Sequence, residues 1–400
     1  MAVRKRTWKT AKGEEKSAWV VDYVDAKGIR RLKTFERKKE ADAFAATAAV
    51  EVRDGVHVAD RETVTVRDAG ALWLKSCAAA GLERSTTDQY KQHMDLHIVP
   101  MIGATKLSKI TVPVVRAFQE QLREARRSEA MIKRVTVSLG SILSDAQERG
   151  LVVRNAVNEM SKRRGKSAGQ AEKRAKARLR YGVDIPTMAE VAAILRAAEG
   201  RYRPLLVTAV FTGLRASELR GLTWADVDFA KAQIHVRQRA DKYHMVGMPK
   251  SDAGQRSIPL TPMVVNTLKE WRLACPKGEL NLVFPNGEGN IEWHQNIIKR
   301  GLWPALVKAG VTDDKKGEDG EPVIVPKYTG LHALRHWFAS WCINRKADGG
   351  LELSPKAVQA RMGHSSIQVT FDTYGHLFPA ADEAQALADA ESRLLGLAAT

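Results

Sequence analysis

Residues 161–180 constrain the fold of this 400-residue chain more than any other stretch. They carry nine Lys or Arg against one acidic side chain, with Ala, Gly and Ser between them and no sustained apolar face. Such a stretch cannot enter a core, because unpaired charge is costly to remove from water. It reads as a flexible basic linker over about residues 161–182 that separates independently folding parts. Nine minus one is +8, nearly half of the formal net charge of +18. A basic balance of that size points to a polyanionic partner. Lys162, Arg163, Arg164 and Lys166 are the candidates for phosphate contact, against the plainer reading of a solvated tether.

The length suits two to four domains. No run of 18 uninterrupted apolar residues is present, so no membrane span is expected. Met1–Arg6 is basic with no apolar run behind it, unlike a secretory signal. Cys77, Cys275 and Cys342 are scattered and odd in number. They read as reduced thiols of a cytoplasmic protein, not as a disulfide framework or a zinc ribbon.

Ahead of the linker the pattern changes once. Ala18–Val24 and Ile29–Phe35 are β-rich runs, with Asp25–Gly28 as a turn between them. A helix from Glu36 to about Asp54 follows, with Phe44 on its apolar side. Residues 1–60 therefore read as a small sheet-plus-helix module. Its strand residues Arg30, Arg31 and Lys33 either reach a nucleic acid or form an ordinary solvated face. Residues 64–160 read as mainly helical. Thr65–Ala69 opens one helix, Ser85 is a candidate N-cap for the next, and Pro100 ends that one. Val114–Arg126 and Glu129–Arg149 follow, the latter with Ile132, Val135, Leu139, Ile142 and Leu143 at helical spacing. His93 and His97 stand four apart but lack a third ligand, so no metal is expected there.

Beyond the linker, Thr187 caps a helix over Met188–Glu199, and a largely buried helix over Tyr202–Thr212 ends at Gly213. The phrase Gly213-Leu214-Arg215-Ala216-Ser217-Glu218 follows. Spacing i, i+3 puts Arg215 and Glu218 on one helical face, so the carboxylate can orient the guanidinium and leave other donors for a phosphate. Strands at Ile234–Gln238 and Ser257–Leu260 flank Met248–Arg256, which contains Lys250. Helices are expected over Leu260–Leu273 and about Ile291–Gly310, and the acidic, Gly-bearing Asp313–Glu321 reads as a surface loop or insertion. His332-Ala333-Leu334-Arg335-His336 is the second dense cluster. His332 and His336 have zinc spacing, but no Glu follows His332 and Arg335 would repel a dication. Near the end, Gly363-His364 is followed ten residues later by Tyr374. A phenol with a pKa near 10 attacks only if a base takes its proton and cations meet the charge on its target.

Arg215, Lys250, His332, Arg335, His364 and Tyr374, in that order, resemble the catalytic set of the tyrosine recombinase family of phage integrases. The likeness covers about residues 64–378, and the first sixty less securely. It implies a multidomain α+β protein: an arm-type DNA-binding module, a helical core-binding (SAM-like) domain, the linker, and over 183–400 a mainly α catalytic domain with a small sheet. It implies an enzyme without cofactor or metal that cleaves and rejoins double-stranded DNA at attachment sites, for integration or excision of a phage or mobile element. Tyr374 would form a 3′-phosphotyrosyl link. Arg215 and Arg335 would meet the charge on the phosphate, and His332 would take the phenol proton. Lys250, favoured over Lys242, would protonate the leaving 5′-oxygen, and His364 would donate to the phosphate. His336 is a packing and hydrogen-bonding position in the family and stands outside this set. The implied assembly is a homotetramer on DNA, with a host DNA-bending protein or a directionality factor as further partners. The tail over Glu383–Leu397, with Leu387, Leu394, Leu395 and Leu397, docks on a neighbouring protomer in relatives; packing on its own domain is the alternative. A type IB topoisomerase shares the chemistry but has no need of two DNA-binding modules ahead of the catalytic part.

Overall fold

A computed structural model describes residues 1–10, 14–25, 28–53, 63–163, 178–249, 251–316, 321–378, 387 and 391–395. The chain divides into two units, Met1–Lys176 and Ala177–Thr400. The expected class, helix-rich with small sheets, is the one observed. No helix among the described residues is long and apolar enough to cross a membrane.

The first unit contains two separate apolar clusters. In the first, three antiparallel strands, Ala2–Lys9, Glu15–Val24 and Arg30–Phe35, lie in chain order. The helix Lys38–Arg53 covers one face, with the Phe44 ring 5.8 Å from Tyr23 and 5.3 Å from Phe35. The strand Ala2–Lys9 is one that the sequence pattern did not mark. Only Val3 of its residues is partly buried, and its register with the central strand, Ala2 opposite Asp22 through Lys9 opposite Glu15, is set by backbone pairing. The period of two along Arg30–Phe35 then splits the three basic candidates. Arg30 is exposed and grips Asp22 at 2.5 and 2.9 Å. Arg31 pairs with Asp25 at 2.8 Å, and the Lys33 ammonium sits 4.2 Å from the centre of the Phe44 ring, on the helix side. The three therefore do not form one row on a single face.

The helical part of this unit is built on Val66–Ala79, Arg84–His93, Val112–Glu124 and Glu129–Glu148. Thr65 caps the first of these through the Asp68 N–H. Ser85 does not cap the second: the helix already starts at Arg84, and the Ser85 hydroxyl turns to Glu83. Pro100 does not end it either. The chain widens into a π-helical turn over Met94–Ile98 and restarts as Val99–Ile102, with Pro100 in the new first turn. There its missing N–H costs nothing. His93 and His97 are both buried, and His93 Nδ1 meets Ser138 Oγ at 2.8 Å. A further helix runs over Ala156–Arg163. It carries regular structure into the first residues of the expected tether, including Lys162 and Arg163, whereas Arg164 and Lys166 lie outside the described residues.

The second unit packs its helices around one large apolar cluster. A three-stranded antiparallel sheet, ordered Val227–Asp228, Gln233–Val236, Arg256–Pro259, lies against it. The small hairpin of Arg239–Ala240 with Val246–Gly247 leads toward position 250. Within the stretch expected as a surface loop or insertion, Asp313–Lys316 belong to a second hairpin, Thr312–Lys316 paired with Pro322–Pro326, and residues 317–320 lie outside the described residues. The Val323-Ile324-Val325 run just beyond the acidic stretch supplies its return strand. Most of the tail, and Leu397, lie outside the described residues; Leu387, Leu394 and Leu395 are exposed.

Candidate active site

Two helix ends create the site. The helix Arg203–Thr212 stops at Gly213, with φ 59°, and the helix Pro355–Met362 stops at Gly363, with φ 62°. Both are left-handed caps that glycine adopts without strain. Neither position has room for a side chain. A Cβ at Gly213 would come 2.3 Å from the Phe338 ring, and one at Gly363 2.8 Å from Arg256 Nη1. Helix C-termini carry carbonyls without intrahelical partners and a partial negative charge. Two guanidinium groups take them. Arg335, in the helix His332–Ile343, donates to Gly213 O and Met362 O, each at 2.5 Å. Arg215 donates to Gly363 O at 2.9 Å.

Glu218 sets the second constraint. Arg215 is the N-cap residue of the helix Ala216–Gly221, not part of its face, so helical spacing does not bring the pair together. Glu218, at the third position, accepts from the Arg215 backbone N–H at 2.9 Å and from its Nη1 at 2.8 Å. A second arginine, Arg256, donates to the same carboxylate at 2.8 and 3.2 Å and to Arg361 O at 2.8 Å. Burial raises the carboxyl's proton affinity, but Arg256 and Arg215 outweigh it and hold Glu218 ionised below its ordinary range. Arg335 is 3% exposed. Burial and then Arg215 lower its pKa to about 10, so it keeps its charge at neutral pH.

Tyr374 ends the short helix Ile367–Tyr374 and is 2% exposed. Its ring stacks on His364, with centroids 6.1 Å apart at 10°, and its hydroxyl lies 2.8 Å from His336 Nδ1. Burial raises the phenol to about 12, against the pull of Arg335 and Arg215. His364 is buried, with Nδ1 on Thr370 Oγ1 at 2.9 Å. His332 is exposed at the residue level and meets the His336 ring edge-on at 4.4 Å. Partial burial of the ring, then Arg335 and Arg215, lower its pKa.

Arg215, Glu218, His332, Arg335, His364 and Tyr374 are thus brought into one site. Lys250 lies outside the described residues. Its competitor Lys242 places its ammonium 4.7 Å from the centre of the neighbouring Tyr243 ring. The hairpin that precedes position 250 is held at its base by buried Arg220, which donates to Glu292 O at 2.7 Å and Asp241 O at 3.0 Å. Sequence reasoning passed over Arg256 and set His336 aside. Arg256 meets Glu218 across 38 positions of chain, which no local spacing reveals.

Burial and the charges of Arg335, Arg215 and Arg256 push His364 from 6.5 down to about 4. The unfolded chain therefore binds a proton in this window that the folded site refuses. The stabilisation is complete above pH 6.5 and is lost as the pH falls toward 4, by roughly 3 kcal/mol for this residue. The DNA-free protein is expected to lose Tm across that window. His364→Asn, which keeps an acceptor near Thr370 but cannot titrate, should lose less. Equal acid sensitivity in thermal unfolding of both proteins would show that the site does not suppress this proton.

Residues 186–380 match the model of the Phage integrase family, and residues 65–123 match that of the phage integrase N-terminal SAM-like domain. The chain is 25% identical over 384 residues to a tyrosine recombinase XerC-like protein of Caldanaerobacter subterraneus subsp. tengcongensis, covering 89% of this chain and 90% of that one. Among solved structures, the Tn1549 transposon integrase in complex with a circular intermediate DNA superposes with a TM-score of 0.61 at 21% identity, covering 83% of this chain and all of that one. A lambda integrase tetramer bound to a Holliday junction superposes with a TM-score of 0.54 at 17% identity, covering 90% and 95%. With a tyrosine, two arginines and three imidazoles gathered on that fold, the chain belongs to the phage integrase family of tyrosine site-specific recombinases.

Proposed function

We propose that this protein integrates or excises a mobile DNA element through Tyr374. The phenolic oxygen attacks the scissile phosphorus, the bond to the 5′-oxygen breaks, and a 3′-phosphotyrosyl link holds the strand. The freed 5′-hydroxyl of a partner duplex then attacks that link and reseals the backbone without ATP. The observation that supports this most is the Arg215 and Arg335 pair. Each guanidinium has five N–H donors, and the contacts above use two, leaving three for a phosphate. Their forks meet the charge that builds on the nonbridging oxygens. Glu218 and Arg256 orient Arg215, His364 donates to the phosphate, and Lys250 protonates the leaving oxygen. Arg30 and the basic residues of 161–166 carry backbone contacts that position the DNA without reading bases. Four copies act together, as in the lambda integrase tetramer on a Holliday junction. An accessory bending or directionality protein completes the complex.

The test is a nicked duplex that carries one end of the element and traps the cleaved strand. With label at the 5′ end of the cut strand, an SDS-resistant protein adduct is expected. With label at the 3′ end, a free fragment bearing a 5′-hydroxyl is expected. Both should appear in excess EDTA, because the charge is met by fixed guanidinium groups. An adduct on the 3′-labelled fragment, or cleavage only with added divalent metal, would overturn the mechanism. Relaxation of a supercoiled plasmid that lacks the site would favour a topoisomerase.

A further inference from the structure

We propose that His336 takes the proton of the Tyr374 hydroxyl as the tyrosine attacks. This rests on the reading of Tyr374 as the nucleophile and extends it to the base. The Tyr374 hydroxyl lies 2.8 Å from His336 Nδ1. The rings meet edge to face, with centroids 5.7 Å apart at 64°. His332, the position that the family resemblance implies for this role, sets its ring edge-on to His336 with centroids 4.4 Å apart. A phenol has one proton to give, and a neutral imidazole nitrogen accepts it. In the tautomer that carries its hydrogen on Nε2, Tyr374 donates to the bare Nδ1, and this is the form the proposal uses.

The surroundings of His336 keep its ring neutral. His332 and Arg335, on its own helix, oppose a positive imidazole, and Asp184, from the segment ahead of the helix Met188–Ala197, favours one. Burial is the largest influence, and together they lower His336 from 6.5 to about 4. In the DNA-free protein the ring is neutral and ready to accept. A phosphodiester beside Arg215 and Arg335 brings negative charge that offsets theirs. The proton affinity of His336 then rises at the moment when the phenol must release its proton. The step balances: the phenolic oxygen bonds to phosphorus, the bond to the 5′-oxygen breaks, and the phenol proton moves to His336. The leaving oxygen takes a proton from a separate acid. Resealing runs the same transfer backwards.

The experiment is single-turnover cleavage of the nicked duplex, across about pH 6 to 9, by wild type, His336→Asn and His332→Gln. Asn places an amide oxygen near the Nδ1 position, so it keeps a hydrogen-bond acceptor but cannot take a proton. His336→Asn is expected to cleave roughly 10²–10⁴-fold more slowly. Its rate should keep climbing with pH where wild type levels off, because the phenol must ionise unaided. His332→Gln should still level off with pH as wild type does, with the bend moved upward because His336 loses a neighbour that opposes its charge. A His336→Asn rate within about threefold of wild type, or loss of the levelling-off in His332→Gln alone, overturns the proposal. If His336→Asn fails to fold, His336→Ala with added free imidazole replaces it: restored cleavage supports the proposal, and no restoration overturns it. An adduct that persists in Tyr374→Phe would instead refute the nucleophile, which is a separate failure.

Discussion

Tyr374→Phe abolishes the SDS-resistant protein–DNA adduct and leaves the fold and DNA binding nearly intact. The expectation follows from how little the change removes. The ring stays, still stacked on His364 in a site where Tyr374 is 2% exposed, and the packed volume hardly alters. One hydroxyl is lost, together with its hydrogen bond to His336. The structural cost is therefore that of one hydrogen bond with a half-buried acceptor, about 1 kcal/mol. The chemical cost is total, because phenylalanine carries no atom that can bond to phosphorus. Adduct formation on the 5′-labelled strand and a binding titration on the same duplex measure the two separately. An adduct formed by the phenylalanine variant at any rate near wild type would place the nucleophile elsewhere.

Arg335→Ala and Arg215→Ala should both slow cleavage by roughly 10²–10³-fold, the scale for losing one preorganised donor to developing charge. Their effects on stability should differ. Arg335 is buried, and its two guanidinium ends satisfy Gly213 O and Met362 O. Removing it strands both carbonyls, at roughly 1–3 kcal/mol each, and empties a side-chain volume at the meeting point of two helix ends. The Arg215 side chain is 39% exposed, and Glu218 keeps Arg256 as its partner when Arg215 is gone. Its loss should cost the fold much less. Cleavage rates and denaturant midpoints for the two variants make the comparison. Equal destabilisation would mean that the helix-end carbonyls are satisfied in some other way. Unimpaired cleavage in either variant would remove that arginine from the phosphate site.

Much of this site was legible in the sequence because its parts sit beside local signals. Gly213 and Gly363 mark helix ends with a left-handed residue; Arg215 stands two residues after the first and His364 directly after the second. Thr187 and Glu190 form the capping box that opens the helix Met188–Ala197. The long apolar periodicity of Ile132, Val135, Leu139, Ile142 and Leu143 became one buried stripe of the helix Glu129–Glu148. Propensity, capping and period act over a few residues, and so a sequence displays them.

The misreadings arose where the deciding partner is remote or the local rule has two outcomes. Ala2–Lys9 forms a strand because its backbone pairs with a neighbour, although its side chains are mostly exposed. Pro100 looked like a stop, yet a π-helical turn shifted it into a first turn, where a proline fits. Thus the amino-acid order by itself determined the fold class, the candidate nucleophile, Arg215 beside a glycine break and Arg335 three residues after His332, since these rest on residue type and short spacing. The tertiary structure alone decided that Arg335 would close two helix ends, that Arg256 would share Glu218, and that His336 would meet the Tyr374 hydroxyl. Each of those contacts joins groups that only the packing of the whole unit around one core brings within hydrogen-bond reach.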